Sequence, residues 1–125
     1  MKVSSIREIE NTERHVRGDG FESIRIVLEK DGMGFSVHKT LIPAGTKRVW
    51  HYKYHLETCY CIKGKAIVTN LANGDKHTIS ADTAYSLDDH DRHQFEALTD
   101  VVLISVFNQP VKGQETHKED GSYEI

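Results

Sequence analysis

From Phe21 onward the chain is a series of short apolar stretches cut at regular intervals by turn residues. Phe21–Lys30 runs into Asp31-Gly32-Met33-Gly34, Phe35–Leu41 into Pro43-Ala44-Gly45, and Ala66–Leu71 into Asn73-Gly74. Asp-Gly and Asn-Gly between apolar runs signal hairpins, because the tight turns that match strand twist need positive φ at their central residues. Val49–Ile62 reads as a long strand with a turn or bulge inside it. Lys76–Ile79, Thr83–Leu87, His93–Ala97 and Val101–Phe107 read as further strands, with Asp88–Asp91 as a polar loop. Helix signals are weak and confined to the first fifteen residues, where Ile6–Glu10 has room for a turn or two. Eight or so strands at this spacing predict an all-β fold, a sandwich or small barrel, with a short N-terminal helical turn. With 125 residues the expectation is a single domain spanning 1–125. Small barrels hold one ligand in the mouth. The tail from 110 to 125 is polar and is expected to be either disordered or a lid over that mouth.

Charge narrows the partners. Sixteen basic against nineteen acidic side chains leave a net charge of -3, with no basic footprint for nucleic acid or for an anionic membrane. Val101–Ile104, the longest apolar run, is far short of a membrane span, and the first residues lack the apolar core of a signal peptide. The expected setting is cytoplasmic, with a small molecule as partner. Cys59 and Cys61 then read as reduced thiols used for packing, a Cys-x-Cys chelate being the alternative.

Eight histidines stand out in a chain of this length. Their spacing matters more than their number. Gly45-x5-His51-x-Lys53-x3-Glu57-x6-Gly64 resembles the first motif of the cupin superfamily at every position but Lys53, where that motif has a second His. Asp82-x5-Asp88-x-His90-x2-His93 keeps the frame of the second motif without its usual Gly and Pro. On a regular strand His51, Lys53, His55 and Glu57 would share one face. A neighbouring strand bearing His93 would then complete a pocket of N and O donors suited to iron, manganese or zinc. An ammonium at Lys53 cannot ligate, so another donor must be sought.

Within the cupins the chain is most similar to the ectoine synthase family. Four blocks carry the resemblance in order: Asp31–Ser36; His51-Tyr52 through Tyr60-Cys61-Ile62-x-Gly64; Tyr85-x-Leu87-Asp88-x-His90-Asp91-x-His93; and Phe107-Asn108-x-Pro110 through Gly121. The resemblance implies a single-domain cupin barrel. It implies a cyclodehydratase that closes N-γ-acetyl-L-2,4-diaminobutyrate into ectoine with loss of water. It also implies Fe(II), or another divalent metal, held by Glu57, Tyr85 and His93, and a homodimer.

Pocket residues implied by the same matches are Arg25, Thr40, Tyr52, His55, Leu87, Phe107, Glu115 and His117. Tyr52, His55 and His117 are the candidates for proton transfer. Arg25 is expected to face the substrate carboxylate, and Glu115 an ammonium. Phe21, His38 and Ser105 stand where the family usually has Trp, Asn and Cys, so the substrate-facing wall departs from the pattern. Lys53-Tyr54 likewise replaces a Gln-Asn pair. His51 is expected in the pocket or core, His15 and His77 on the solvated surface, and His90 in a turn. For Glu57 the structural alternative is an ion pair with Lys53 or Arg48. The rival functions are a related amide or amidine cyclisation or hydrolysis, an iron-dependent cupin oxygenase, and a non-enzymatic ligand-binding cupin.

Overall fold

The structure, a computed structural model, describes residues 1–123. Its elements are α1 (Ile6–Ile9), β1 (His15–Gly18), β2 (Phe21–Val27), a 3-10 turn (Glu29–Asp31), β3 (Ser36–Ile42), β4 (Lys47–Trp50), β5 (Leu56–Lys63), β6 (Lys65–Asn70), β7 (Lys76–Ser80), β8 (Ala84–Leu87), β9 (His93–Ala97) and β10 (Val101–Asn108). They form two antiparallel sheets, one ordered β1-β2-β3-β10-β5-β8 and the other β4-β9-β6-β7. No helix among the described residues is long and apolar enough to cross a membrane.

From β3 onward the chain switches sheets repeatedly. β3 to β4, β4 to β5, β5 to β6, β7 to β8, β8 to β9 and β9 to β10 all connect one sheet to the other. These crossings wrap the sheets into a barrel around one interior. Strict alternation supplies its lining. On β5, Glu57, Cys59 and Cys61 point in and Leu56, Thr58 and Tyr60 point out; on β10, Val101, Leu103, Ser105 and Phe107 point in.

The interior is graded. Cys61, Ala66, Ile79, Phe95, Ala97, Val101 and Leu103 make one end apolar. Glu57, Cys59, His93, Ser105 and His38 make the other end polar although equally buried. A polar interior is costly unless it is paired or used, and that end holds the candidate site.

Several local expectations change. The long strand over Val49–Ile62 is two strands in different sheets, and residues 51–55 cross between them. Lys53 therefore leaves the shared face and points out to pair with Asp120. Strand β1 was not legible, since only its pairing with β2 defines it. His15 is not a solvated surface residue: its ring takes the Asn11 N–H at Nδ1 and meets Glu22 at Nε2. His90 does sit in a turn, with φ at 50°, and its Nδ1 donates to the Tyr52 carbonyl. The short N-terminal helix forms as expected, capped by Ser5, whose hydroxyl accepts the Glu8 N–H.

Gly64 is the whole link between β5 and β6. Its φ is +96°, and a Cβ there would collide with the Asp100 carbonyl oxygen and lie 2.9 Å from the Val101 Cα. Only glycine satisfies both the backbone angle and the approach. Gly64→Ala is expected to cost about 2 kcal/mol or more, read as a lower urea midpoint at unchanged slope. A midpoint within error of the parent would show that the link can shift freely.

Candidate active site

Antiparallel register assembles the polar end of the barrel. Across the larger sheet, Arg25 pairs with His38, His38 with Ser105, Ser105 with Cys59, and Cys59 with Tyr85. Five strands thus contribute one residue each to a single inward row. The next row is Ser36, Phe107, Glu57 and Leu87, and on the other side lie Ser23, Thr40, Leu103 and Cys61. Facing them from the smaller sheet, His93 sits opposite Trp50.

These rows enclose a cavity of about 20 Å³, enough for one water or ion. Its lining includes Phe21, His38, Thr40, Tyr52, Glu57, Cys59, Tyr85, Ser105, His117 and Tyr123. Hydrogen bonds tie the floor together: the Thr40 and Ser105 hydroxyls lie 2.9 Å apart, and the Ser105 hydroxyl is 3.6 Å from the Cys59 sulfur. Phe107 stacks on His38 at 5.1 Å between ring centroids. His93 lies beyond Tyr85, with the two rings 6.5 Å apart. Together with Tyr85 and Leu87 it lines a groove between the sheet edges β7 and β8.

The tail closes the mouth. Val111, Ser122 and Tyr123 are buried, so the segment through residue 123 is ordered; positions 124 and 125 lie outside the described residues. Gly121, with φ at +84°, packs against the backbone of Val49–His51, and its carbonyl accepts the His51 N–H. His117 stacks on Trp50 at 4.9 Å, and its Nε2 is 2.7 Å from the Tyr52 hydroxyl. His55 is buried against Phe107 and Tyr123. Arg25, fully buried, donates to the Gly113 and Glu115 carbonyls and to Ser23. Glu115 accepts the Lys112 and Gly113 N–H groups. In this closed form Arg25 and Glu115 hold the tail.

Burial sets the protonation of the site. It lowers the pKa of His55 and His93, and takes that of His117 down to about 3 with help from the Arg25 charge. These rings are neutral at pH 7. The Tyr52 and Tyr85 phenols are pushed up by burial and stay protonated. Burial also lifts the Glu57 carboxyl to about 7, against hydrogen bonds with Cys59 and Ser105 that lower it. Glu57 is not in the ion pair considered from the sequence, because Arg48 pairs with Asp19 and Lys53 with Asp120.

The residues fit a cation. His93 Nδ1 donates to the Asp91 carbonyl, which leaves the Nε2 lone pair free; Nε2 is buried without a partner. Glu57 is a buried carboxylate without a counter-charge. An imidazole nitrogen fixed by a hydrogen bond at its other nitrogen is the usual form of a metal-binding His. Among the described residues no three His, Cys, Asp or Glu side chains converge closely enough to hold a metal. Any third donor beside Glu57 and His93 must be of another type; Tyr85 lines both the cavity that Glu57 lines and the groove that His93 lines.

The chain matches the family model for ectoine synthase over residues 1–125. It is 48% identical over 126 residues to the L-ectoine synthase of Desulfosudis oleivorans, covering 100% of this chain and 98% of that one. It is 44% identical over 125 residues to that of Halalkalibacterium halodurans, with 100% and 97% covered. The chain belongs to the ectoine synthase family. The crystal structure of ectoine synthase from P. lautus superposes with a TM-score of 0.86 at 37% identity, covering 90% of this chain and 80% of that one. An RmlC-like cupin from Shewanella frigidimarina, at 18% identity and a TM-score of 0.61 over 72% of this chain and 77% of that one, shares the fold. The barrel is thus a cupin, and the family places the chain among the hydro-lyases.

Two residues that line the candidate cavity were not singled out from the sequence as site residues. Cys59, read as packing, lies in the central row; its place two residues from Glu57 on one strand was the available signal. Tyr123 roofs the cavity from the tail, and nothing local marks it.

The raised Glu57 pKa has a consequence for the metal-free protein. Between the ordinary value of 4.5 and about 7 the folded state holds this proton more tightly than the unfolded state. Its contribution to stability is therefore full below pH 4.5 and is lost as pH rises through 7. Metal-free wild type is expected to lose more stability between pH 5 and pH 8 than Glu57→Gln does, measured by urea unfolding. Equal losses would place the carboxylate in water.

Proposed function

We propose that this ectoine synthase family member closes N-γ-acetyl-L-2,4-diaminobutyrate into ectoine with loss of water, assisted by Fe(II) or another divalent metal held by Glu57, Tyr85 and His93. The observation that carries the metal reading is the buried, partnerless His93 Nε2, together with a buried Glu57 that has no cationic partner because Arg48 and Lys53 pair elsewhere. Oxygen and nitrogen donors of this kind suit iron, manganese or zinc.

A metal bound there supplies Lewis-acid polarisation of the amide carbonyl, a poor electrophile on its own. The chain's residues do the rest. Attack by the α-amine forms the C–N bond of the ring, and the carbonyl oxygen departs as water carrying two protons. Proton acceptors and donors are therefore both needed. Neutral His117 and His55 can accept a proton from the amine. The Tyr52 hydroxyl, bonded to His117 Nε2, can donate toward the departing oxygen.

Phe107 and Phe21 keep the walls apolar, so that the released water leaves rather than refills the site. Both reacting groups belong to one molecule, so holding them in a near-attack geometry is a large part of the catalysis. Thr40 and Ser105 offer hydroxyls from the floor, His38 and Leu87 shape the wall, and Arg25 and Glu115 are placed for the substrate's charged ends. The closed cavity holds only a water or ion, so the tail from Val111 to Tyr123 acts as a lid that swings clear for entry.

We place this chemistry in the cytoplasm and in a homodimer. Leu56, Tyr60, Ile62 and Val106, exposed on the outer face of β5 and β10, support self-association.

Iron-loaded protein incubated anaerobically with N-γ-acetyl-diaminobutyrate is expected to yield ectoine by mass spectrometry and NMR. A dioxygen requirement would favour the oxygenase reading, and saturable binding without product a binding module. Glu57→Ala and His93→Ala are expected to lose most bound metal, and His51→Ala to keep it. Full metal retention in both of the first two would sink the triad.

A further inference from the structure

The inward row Arg25–His38–Ser105–Cys59–Tyr85 contains one residue with no part in the chemistry described so far. Cys59 is 1% exposed and stands at the centre of the site, directly between Ser105 on β10 and Tyr85 on β8. Glu57 is its neighbour two positions along β5 and points the same way. Its sulfur is 3.6 Å from the Ser105 hydroxyl, which is itself 2.9 Å from Thr40. The register sets Cys59 opposite Tyr85 and on the inward face it shares with Glu57, and all three line the cavity. Cys59 thus stands next to two of the three residues proposed to hold the metal.

We propose that Cys59 is a positioning residue, whose thiol spaces the Glu57 carboxylate and the Tyr85 phenol so that both reach one metal ion. Placed opposite Tyr85 and beside Glu57, the thiol can donate its S–H to an oxygen of either, which an apolar filler of the same volume cannot do. Ser105 steadies the sulfur from the far side and extends the chain of contacts to Thr40. In this reading Cys59 acts through its neighbours rather than as a ligand. Groups that orient metal ligands change metal affinity by about 10- to 100-fold when removed. The inference rests on the metal reading above and assigns a task to a residue outside that set.

The test uses the full-length protein and four forms: wild type, Cys59→Ala, Cys59→Ser, and the swap Cys59→Ser with Ser105→Cys, which moves the thiol across the strand pair. Affinity for Fe(II) is measured by competition with a chromogenic chelator. The tyrosinate-to-iron charge-transfer band is recorded after oxidation of the bound iron, and the apo-protein melting temperature serves as a folding control.

Cys59→Ala is expected to weaken iron binding by about 10-fold or more and to shift or bleach the band, with apo melting little changed. Cys59→Ser and the swap are expected to restore most of both, because each keeps a donor and acceptor at the centre of the row. If Cys59→Ala binds iron as tightly as wild type with the same band, Cys59 only packs and the proposal fails while the metal reading stands. If Cys59→Ala melts far below wild type, Cys59→Ser decides: a loss of affinity equal to that of Cys59→Ala refutes the hydrogen-bonding role, and retention supports it. If wild type itself binds no iron, or shows no such band, the metal reading falls and this inference with it.

Discussion

The register of β10 between β3 and β5 is the constraint on which the site depends. Pairing Ser105 with both His38 and Cys59, and Phe107 with both Ser36 and Glu57, lines up side chains that are far apart in sequence. A slip of one residue would turn every one of them outward and bring Val106 and Ile104 into the barrel. The apolar half of the same strands prevents that slip. Val101 and Leu103 on β10 and Cys61 on β5 bury against Phe95, Ile79 and Ala66 of the other sheet, and they do so only in this register. The hydrophobic end of the barrel thus holds the polar end in place.

That polar end is tolerable because its groups are nearly all kept neutral. Burial leaves the imidazoles of His38, His55, His93 and His117 uncharged and the phenols of Tyr52 and Tyr85 protonated. Arg25 is the exception, and its charge is spread over the Gly113 and Glu115 carbonyls and the nearby Glu115 carboxylate. Glu57 is left as the acid whose ionised form has no counter-charge. A buried carboxyl without a counter-charge, in one interior with an imidazole that has a free lone pair, is a donor set that suits a cation.

The tail completes the enclosure by means that its polar sequence conceals. Its contacts are specific, among them a close glycine approach at Gly121, a stacked imidazole at His117, a guanidinium clasp at Arg25, an ion pair of Asp120 with Lys53 and a buried ring at Tyr123. Most of them join the tail to residues of the proposed site. The segment that covers the mouth therefore also shapes the cavity.

The sequence by itself determined the all-β class, most strand positions, the hairpin turns and the family, because alternation, Asp-Gly and Asn-Gly turns and motif spacing are local properties of the chain. It also marked Glu57, Tyr85 and His93 by resemblance. The tertiary structure alone decided what surrounds each of these side chains. It split the expected strand at residues 51–55 and so sent Lys53 outward while His55 turned inward. It set Cys59, a packed core residue, at the centre of a five-strand row, and it folded Tyr123 over the mouth. Such facts depend on register between strands tens of residues apart and on the packing of two sheets, and no window of neighbouring residues contains them.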